Sequence, residues 1–271
     1  MDSKYIIGIV VILIVALGAY EVYAHETSDK TITIAGSTSV QPVAEKLAQA
    51  YMAEHPGIKI NVQGGGSSVG ITNIAKGVIN IGTSSKALSS NESAGLTQYT
   101  IGKDGIVVVV NSKNTVTSLS KDQLKSIFSG NITNWNQVGG SDAKIDVITR
   151  EDGSGTRSGF EDMVMGNGTK IKSDAIVQSS TEAVKQSVEG DPNAIGFISL
   201  ANLDSNVTAV KVDNITPSEQ TVADGSYKLQ RPFIFLVKGQ ATGTVKNFID
   251  WVMGPEGQAI IKQEKVVPAS S

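Results

Sequence analysis

The fold that the sequence predicts is an α/β protein with a discontinuous first lobe, an inserted second lobe and two strands crossing between them as a hinge. Two observations predict it. Strand-like and helix-like patterns alternate along the chain, as in βαβ units with largely parallel sheets. Two apolar runs, near 105–110 and 232–237, bracket a middle block that has strands and helices of its own. The expected lobes are 30–108 with 232–271, and 112–228, preceded by an N-terminal segment over 1–24. No repeat of fixed period is visible.

In chain order, Thr31–Ala35 alternates Ile and Thr and reads as a strand. Val40, Val43, Leu47, Ala50 and Tyr51 then fall on one helical face, with Pro42 in the first turn, where its missing N–H does no harm. His55-Pro56-Gly57 ends that helix, and Ile58–Val62 is the next strand. Gly64-Gly65-Gly66 turns the chain into a second helix, roughly Ser68–Lys76. Gly105–Val110 is a buried strand, Lys144–Thr149 another, and a Gly/Ser turn leads from the latter into a helix around Arg157–Met165. Phe233–Val237 is the last apolar strand, followed by helical patterns over Thr244–Met253 and Pro255–Lys265.

Composition narrows the function. The chain has 271 residues, enough to bury a sizeable core, and a net charge of −3 that argues against sequence-independent nucleic-acid binding. No Cys is present, which removes disulfides, thiolate metal sites and Cys nucleophiles, and two His make a His-rich centre untenable. Neither a metal nor a cofactor is expected. The uncharged run Tyr5–Tyr20 spans only about 24 Å as a helix, short of a hydrocarbon core of about 30 Å. It reads as a signal peptide cleaved after Ala24 or as an uncleaved membrane anchor, and either way the rest lies outside the cytoplasmic membrane.

One device recurs three times. Strands end in Gly36-Ser37-Thr38-Ser39, in Gly64-Gly65-Gly66-Ser67-Ser68, and in Arg150-Glu151-Asp152-Gly153-Ser154-Gly155-Thr156, each opening a helix. Such turns aim free backbone N–H groups and the positive end of a helix dipole at the carboxyl edge of a sheet. Ser and Thr hydroxyls add donors, so together they suit an oxyanion. Ordinary helix capping is the competing explanation for each turn alone. The chain has only three Arg against twenty Lys, and Arg150 and Arg157 flank the third turn. A guanidinium fork suits an oxyanion bidentately, although a carboxylate such as Glu151, Glu161 or Asp162 could take it instead.

Catalytic motifs fail on inspection. Gly66-Ser67-Ser68-Val69-Gly70 matches a nucleophile elbow by letter, but His25 and His55 both precede it, whereas the hydrolase base must follow. A P-loop match beginning at Gly65 has Ile71 where the lysine belongs, and Val69 breaks a dinucleotide fingerprint.

Ala35–Pro42, Gly64–Gly70, Arg150–Arg157, Asp191–Phe197, Leu124–Trp135 and Arg231-Pro232-Phe233 resemble the phosphate-binding proteins of ABC-type phosphate importers, over about Thr31–Ala269. The resemblance implies a two-lobed periplasmic-binding-protein fold that closes on inorganic phosphate and delivers it to the permease subunits, without being an enzyme. It implies Thr38, Ser39, Ser67, Arg150, Asp152, Ser154, Gly155 and Thr156 as ligand residues. Sulfate, molybdate or tungstate on the same scaffold, or a secreted phosphate-ester hydrolase, are the alternatives. Some family members carry an acid after Gly-x-Ser, whereas Gly82-Thr83-Ser84 is followed here by Ser85, which throws discrimination onto Asp152. The chain is expected to act as a monomer.

Overall fold

The computed structural model describes residues 30–269, so the signal peptide or anchor expected over 1–24 lies outside the described residues. The strands are β1 (Thr31–Gly36), β2 (Lys59–Gln63), β3 (Ile81–Ser84), β4 (Leu96–Asn111), β5 (Ser118–Leu119), β6 (Asp146–Arg150), β7 (Ile176–Gln178), β8 (Ala194–Ser199), β9 (Val207–Ala209), β10 (Lys211–Val212), β11 (Gln230–Lys238) and β12 (Val267–Pro268). The main helices are α1 (Gln41–Glu54), α2 (Ser67–Lys76), α3 (Lys121–Ser129), α4 (Gly155–Phe160), α5 (Thr181–Gly190), α6 (Gly243–Met253) and α7 (Pro255–Gln263). Among the described residues no helix is long and apolar enough to cross a membrane.

Eight strands follow the order β2-β1-β3-β11-β4-β8-β6-β7, with β9 and β12 also pairing with β4. The expectation of largely parallel sheets holds only away from the centre. β1 pairs in parallel with β2 and β3, and β6 with β7 and β8. β11 is antiparallel to both β3 and β4, and β4 is antiparallel to β8. The cause is connectivity. Parallel neighbours need a crossover, here supplied by helices such as α1 and α2, whereas β4 and β11 carry the chain in opposite directions between the two lobes.

Each lobe has its own apolar cluster. One gathers Ile32, Ile34, Leu47, Tyr51, Phe233, Phe235 and Phe248; the other gathers Val107 to Val110, Phe128, Trp135, Phe160, Val184 and Phe197. β4 belongs to both: Ile101 packs in the first and Ile106 to Val110 in the second. This strand starts at Leu96, nine residues before the apolar run that announces it, because its first half is polar and half-exposed. α1 follows the expected pattern, burying Val43, Ala44, Leu47, Ala48 and Tyr51, each large apolar side chain contributing about 1.5–3 kcal/mol. The helix expected around Arg157–Met165 begins earlier, at Gly155, because Ser154 caps it, and after Phe160 it widens into a π-turn over Glu161–Met165.

Candidate functional site

The three turns converge, and a fourth joins them. After β1, Gly36 adopts φ 141°, and an added Cβ would collide with the Thr83 carbonyl. This glycine lets β1 and the end of β3 approach, so that Ser37 N–H donates to Thr83 O at 3.1 Å. The Gly66 N–H donates to Gly36 O at 2.9 Å, bringing the second turn beside the first. Ser67 then opens α2 fully buried, its Oγ accepting the Ser85 N–H at 3.1 Å. From the other lobe come β6, ending in Arg150, the N-terminus of α4, and the N-terminus of α5, where Ser180 caps and Thr181 is buried.

Hydroxyls meet across the lobes. Ser39 Oγ lies 2.9 Å from both Thr156 Oγ1 and Thr181 Oγ1. Thr38 Oγ1 lies 3.2 Å from Thr181 Oγ1 and accepts the Thr181 N–H at the same distance. Arg150, 1% exposed, donates from Nη1 to Thr181 Oγ1 at 3.1 Å. Its remaining fork grips Glu151, Nε to Oε2 at 2.8 Å and Nη2 to Oε1 at 2.7 Å. Gly155 is the closest crossing: a Cβ there would lie 2.7 Å from Ser85 Oγ and nearer still to Ser67 Oγ.

Thr38, Ser39, Ser67, Arg150, Gly155 and Thr156 are thus brought together. Ser154 is buried beside them, its hydroxyl accepting the Arg157 N–H as the cap of α4. Asp152, expected from the resemblance to be the discriminating acid, is not brought to the cluster in this structure. Its side chain is 93% exposed and pairs at 2.6 Å with Arg157 Nη1. The reason is local: Glu151 takes the Arg150 fork, while Arg157, anchored on the Arg150 carbonyl at 2.9 Å and on Glu161, draws Asp152 outward.

Sequence reasoning missed Thr181 and the part played by Arg231. Ser179-Ser180-Thr181-Glu182 ahead of Val184 and Val188 was a readable helix start. Arg231 carries no such signal. It lies on β11 opposite Asp104 of β4, with both Nε and Nη2 3.0 Å from Asp104 Oδ2. Asp104 Oδ1 accepts the Ser199 hydroxyl at 2.8 Å, and Arg231 Nη1 donates to Ser85 Oγ at 3.2 Å. Burial pushes the Asp104 pKa up and the Arg231 pKa down; their mutual attraction opposes both shifts, while Arg150 adds to the fall at Arg231. Two guanidiniums therefore repel one another beside a ring of hydroxyls and helix N-termini. Among the described residues no group of three or more His, Cys, Asp or Glu could hold a metal ion.

Two lobes sharing central strands, and meeting at paired helix N-termini, define the class of bilobal solute-binding proteins. Residues 21–256 match the family model described as a PBP superfamily domain. The chain is 32% identical to the phosphate-binding protein PstS of Bacillus subtilis, covering 91% of this chain and 83% of that protein. A phosphate ABC transporter substrate-binding protein from Clostridium perfringens, solved with bound phosphate, superposes with a TM-score of 0.86 at 39% identity, covering 88% of this chain and 99% of that one. An ABC-type phosphate transport receptor from Vibrio cholerae gives 0.72 at 38% identity, over 87% and 99%. The chain belongs to the PstS family of phosphate-binding proteins.

Proposed function

We propose that this chain captures inorganic phosphate between its lobes and delivers it to the permease of an ABC importer, acting as a carrier and not as an enzyme. The observation that carries this reading is the cross-lobe cluster: Thr38, Ser39 and Ser67 from one lobe face Arg150, Gly155, Thr156 and Thr181 from the other. Helix N-termini and hydroxyls supply donors without a surplus of charge, and Arg150 reaches this ring through its Nη1. The lobes are 30–108 with 232–271 and 112–228, β4 and β11 serve as their hinge, and the protein works as a monomer outside the cytoplasmic membrane. Carriers of this kind work by closing, so ligand should draw the lobes together. Calorimetric titration of the purified chain with phosphate, alongside solution scattering, tests the reading. Saturable one-to-one binding with a smaller radius of gyration is expected, and absence of binding overturns it.

A further inference from the structure

Ser85 is a hydroxyl whose acceptor capacity is spent. It is fully buried, its Oγ accepts the Ser37 hydroxyl proton at 2.9 Å, and it accepts the Arg231 Nη1–H at 3.2 Å. A hydroxyl has two lone pairs and one proton, so only the proton remains to offer. Its nearest protein recipient is Ser67 Oγ at 3.4 Å, which already accepts the Ser85 N–H. Arg231 is fixed in place by Asp104, and its Nη2, within ion-pair distance of Asp104, makes no aligned hydrogen bond.

The carboxylates nearby are engaged. From β4, Asp104 receives Arg231 and Ser199 on its two oxygens; from the end of β6, Glu151 receives both prongs of Arg150. Beside Ser85, Lys86 holds Glu92 at 2.8 Å; at α4, Arg157 holds Asp152 and Glu161. The cations facing Ser85 and the hydroxyl ring are Arg231 and Arg150.

We propose that Arg231, acting through Ser85, is a positioning residue that makes the cleft proton-donating, so that it selects phosphate in its doubly ionised form. This rests on the phosphate reading above. A P–OH group needs an acceptor, and Ser85, at the point where Gly155 closes onto the other lobe, has none left. A ligand oxygen that carries a proton meets the Ser85 hydroxyl donor to donor, whereas a bare oxygen there accepts its hydrogen bond. A tetrahedral anion with no proton, such as sulfate, meets no repelling carboxylate at this point.

The test is calorimetric titration of the full chain with inorganic phosphate and with sulfate at pH 6 and pH 8, repeated with Ser85→Asp. For the native chain, affinity for total phosphate should rise about tenfold between the two pH values, following the doubly ionised fraction. Sulfate should bind measurably, with an affinity that pH leaves unchanged. Ser85→Asp supplies an acceptor and a charge, so the phosphate-to-sulfate ratio should widen by at least about tenfold and the pH dependence should flatten. Phosphate affinity that is flat or falls toward pH 8, undetectable sulfate binding at millimolar concentration, or an unchanged ratio in a folded Ser85→Asp chain overturns the proposal. The native titrations decide alone if that variant does not fold. Failure of phosphate to bind at either pH is a different result: it removes the phosphate reading itself.

Discussion

Asp104 and Arg231 stand directly opposite each other in the β4–β11 register and form an ion pair that water scarcely reaches, Arg231 being 4% exposed and Asp104 not at all. The pair lies in the two strands that both lobes share, and Arg231 also reaches Ser85. One contact thus ties the connection between the lobes to the edge of the candidate site.

Removing one member of this pair strands a buried charge. Asp104→Ala should cost about 3–5 kcal/mol of unfolding free energy. The double change Asp104→Leu with Arg231→Met should cost much less, because no charge is left uncompensated. Urea denaturation of the three chains measures the difference; equal losses in the single and double variants would contradict it.

Gly155→Ala tests how closely the lobes must meet. The added methyl would overlap Ser67 Oγ and sit 2.7 Å from Ser85 Oγ, so the lobes must stand apart or the turn must shift. Phosphate affinity should fall by about tenfold to a hundredfold, in line with overpacking costs of about 1–3 kcal/mol. Thermal stability should change little. Isothermal titration and a melting curve check the two halves of this expectation.

Asp152 and Thr181 should exchange the importance that sequence alone assigns them. Asp152→Asn alters an exposed side chain paired outward to Arg157 and should leave phosphate affinity within about twofold, as surface pairs contribute about 0–1 kcal/mol. Thr181→Val keeps the shape but removes the hydroxyl that receives Arg150 Nη1, and should weaken binding roughly tenfold or more. Parallel titrations rank the two.

Tyr227 gives a pH prediction. Burial, then the charge of Asp104, pushes its phenol pKa up, and its hydroxyl donates to the Ile106 carbonyl at 2.8 Å. A group whose pKa is raised on folding contributes stability below its unfolded pKa, about 10 for tyrosine, and loses it as pH climbs toward the folded value. Above pH 10 the unfolding free energy should therefore fall by up to about 1.4 kcal/mol per pH unit on this account. Tyr227→Phe should show a shallower alkaline slope in denaturant titrations at pH 9 to 11, and an unchanged slope would refute the assignment.

Much of this was legible in the sequence because the turns are local. Strand, Gly/Ser-rich turn and helix follow one another within a dozen residues, so the three turns can be located from spacing, while it is the family resemblance that implies Thr38, Ser39, Ser67 and Thr156 as ligand residues. The π-turn after Phe160, the polar first half of β4 and the start of β11 were not legible. β11 carries Pro232 opposite Lys103, with a register shift just after Phe233, and a proline reads as a strand break unless its partner is known. Glu151 and Asp152 illustrate the other limit. Two adjacent acids face the same two arginines, and only the fold decides that Glu151 turns to Arg150 and Asp152 to Arg157.

The sharing of β4 and β11 also fixes an order of assembly. Apart from Val267, the second core lies within one unbroken stretch, 106–229, and can condense once that stretch has been synthesised. The first core needs Phe233, Phe235, Phe248 and Ile261, and its sheet has a gap between β3 and β4 until β11 fills it. The part of the chain made first must therefore wait, loosely held, for the part made last, and the middle of this protein is finished before its beginning.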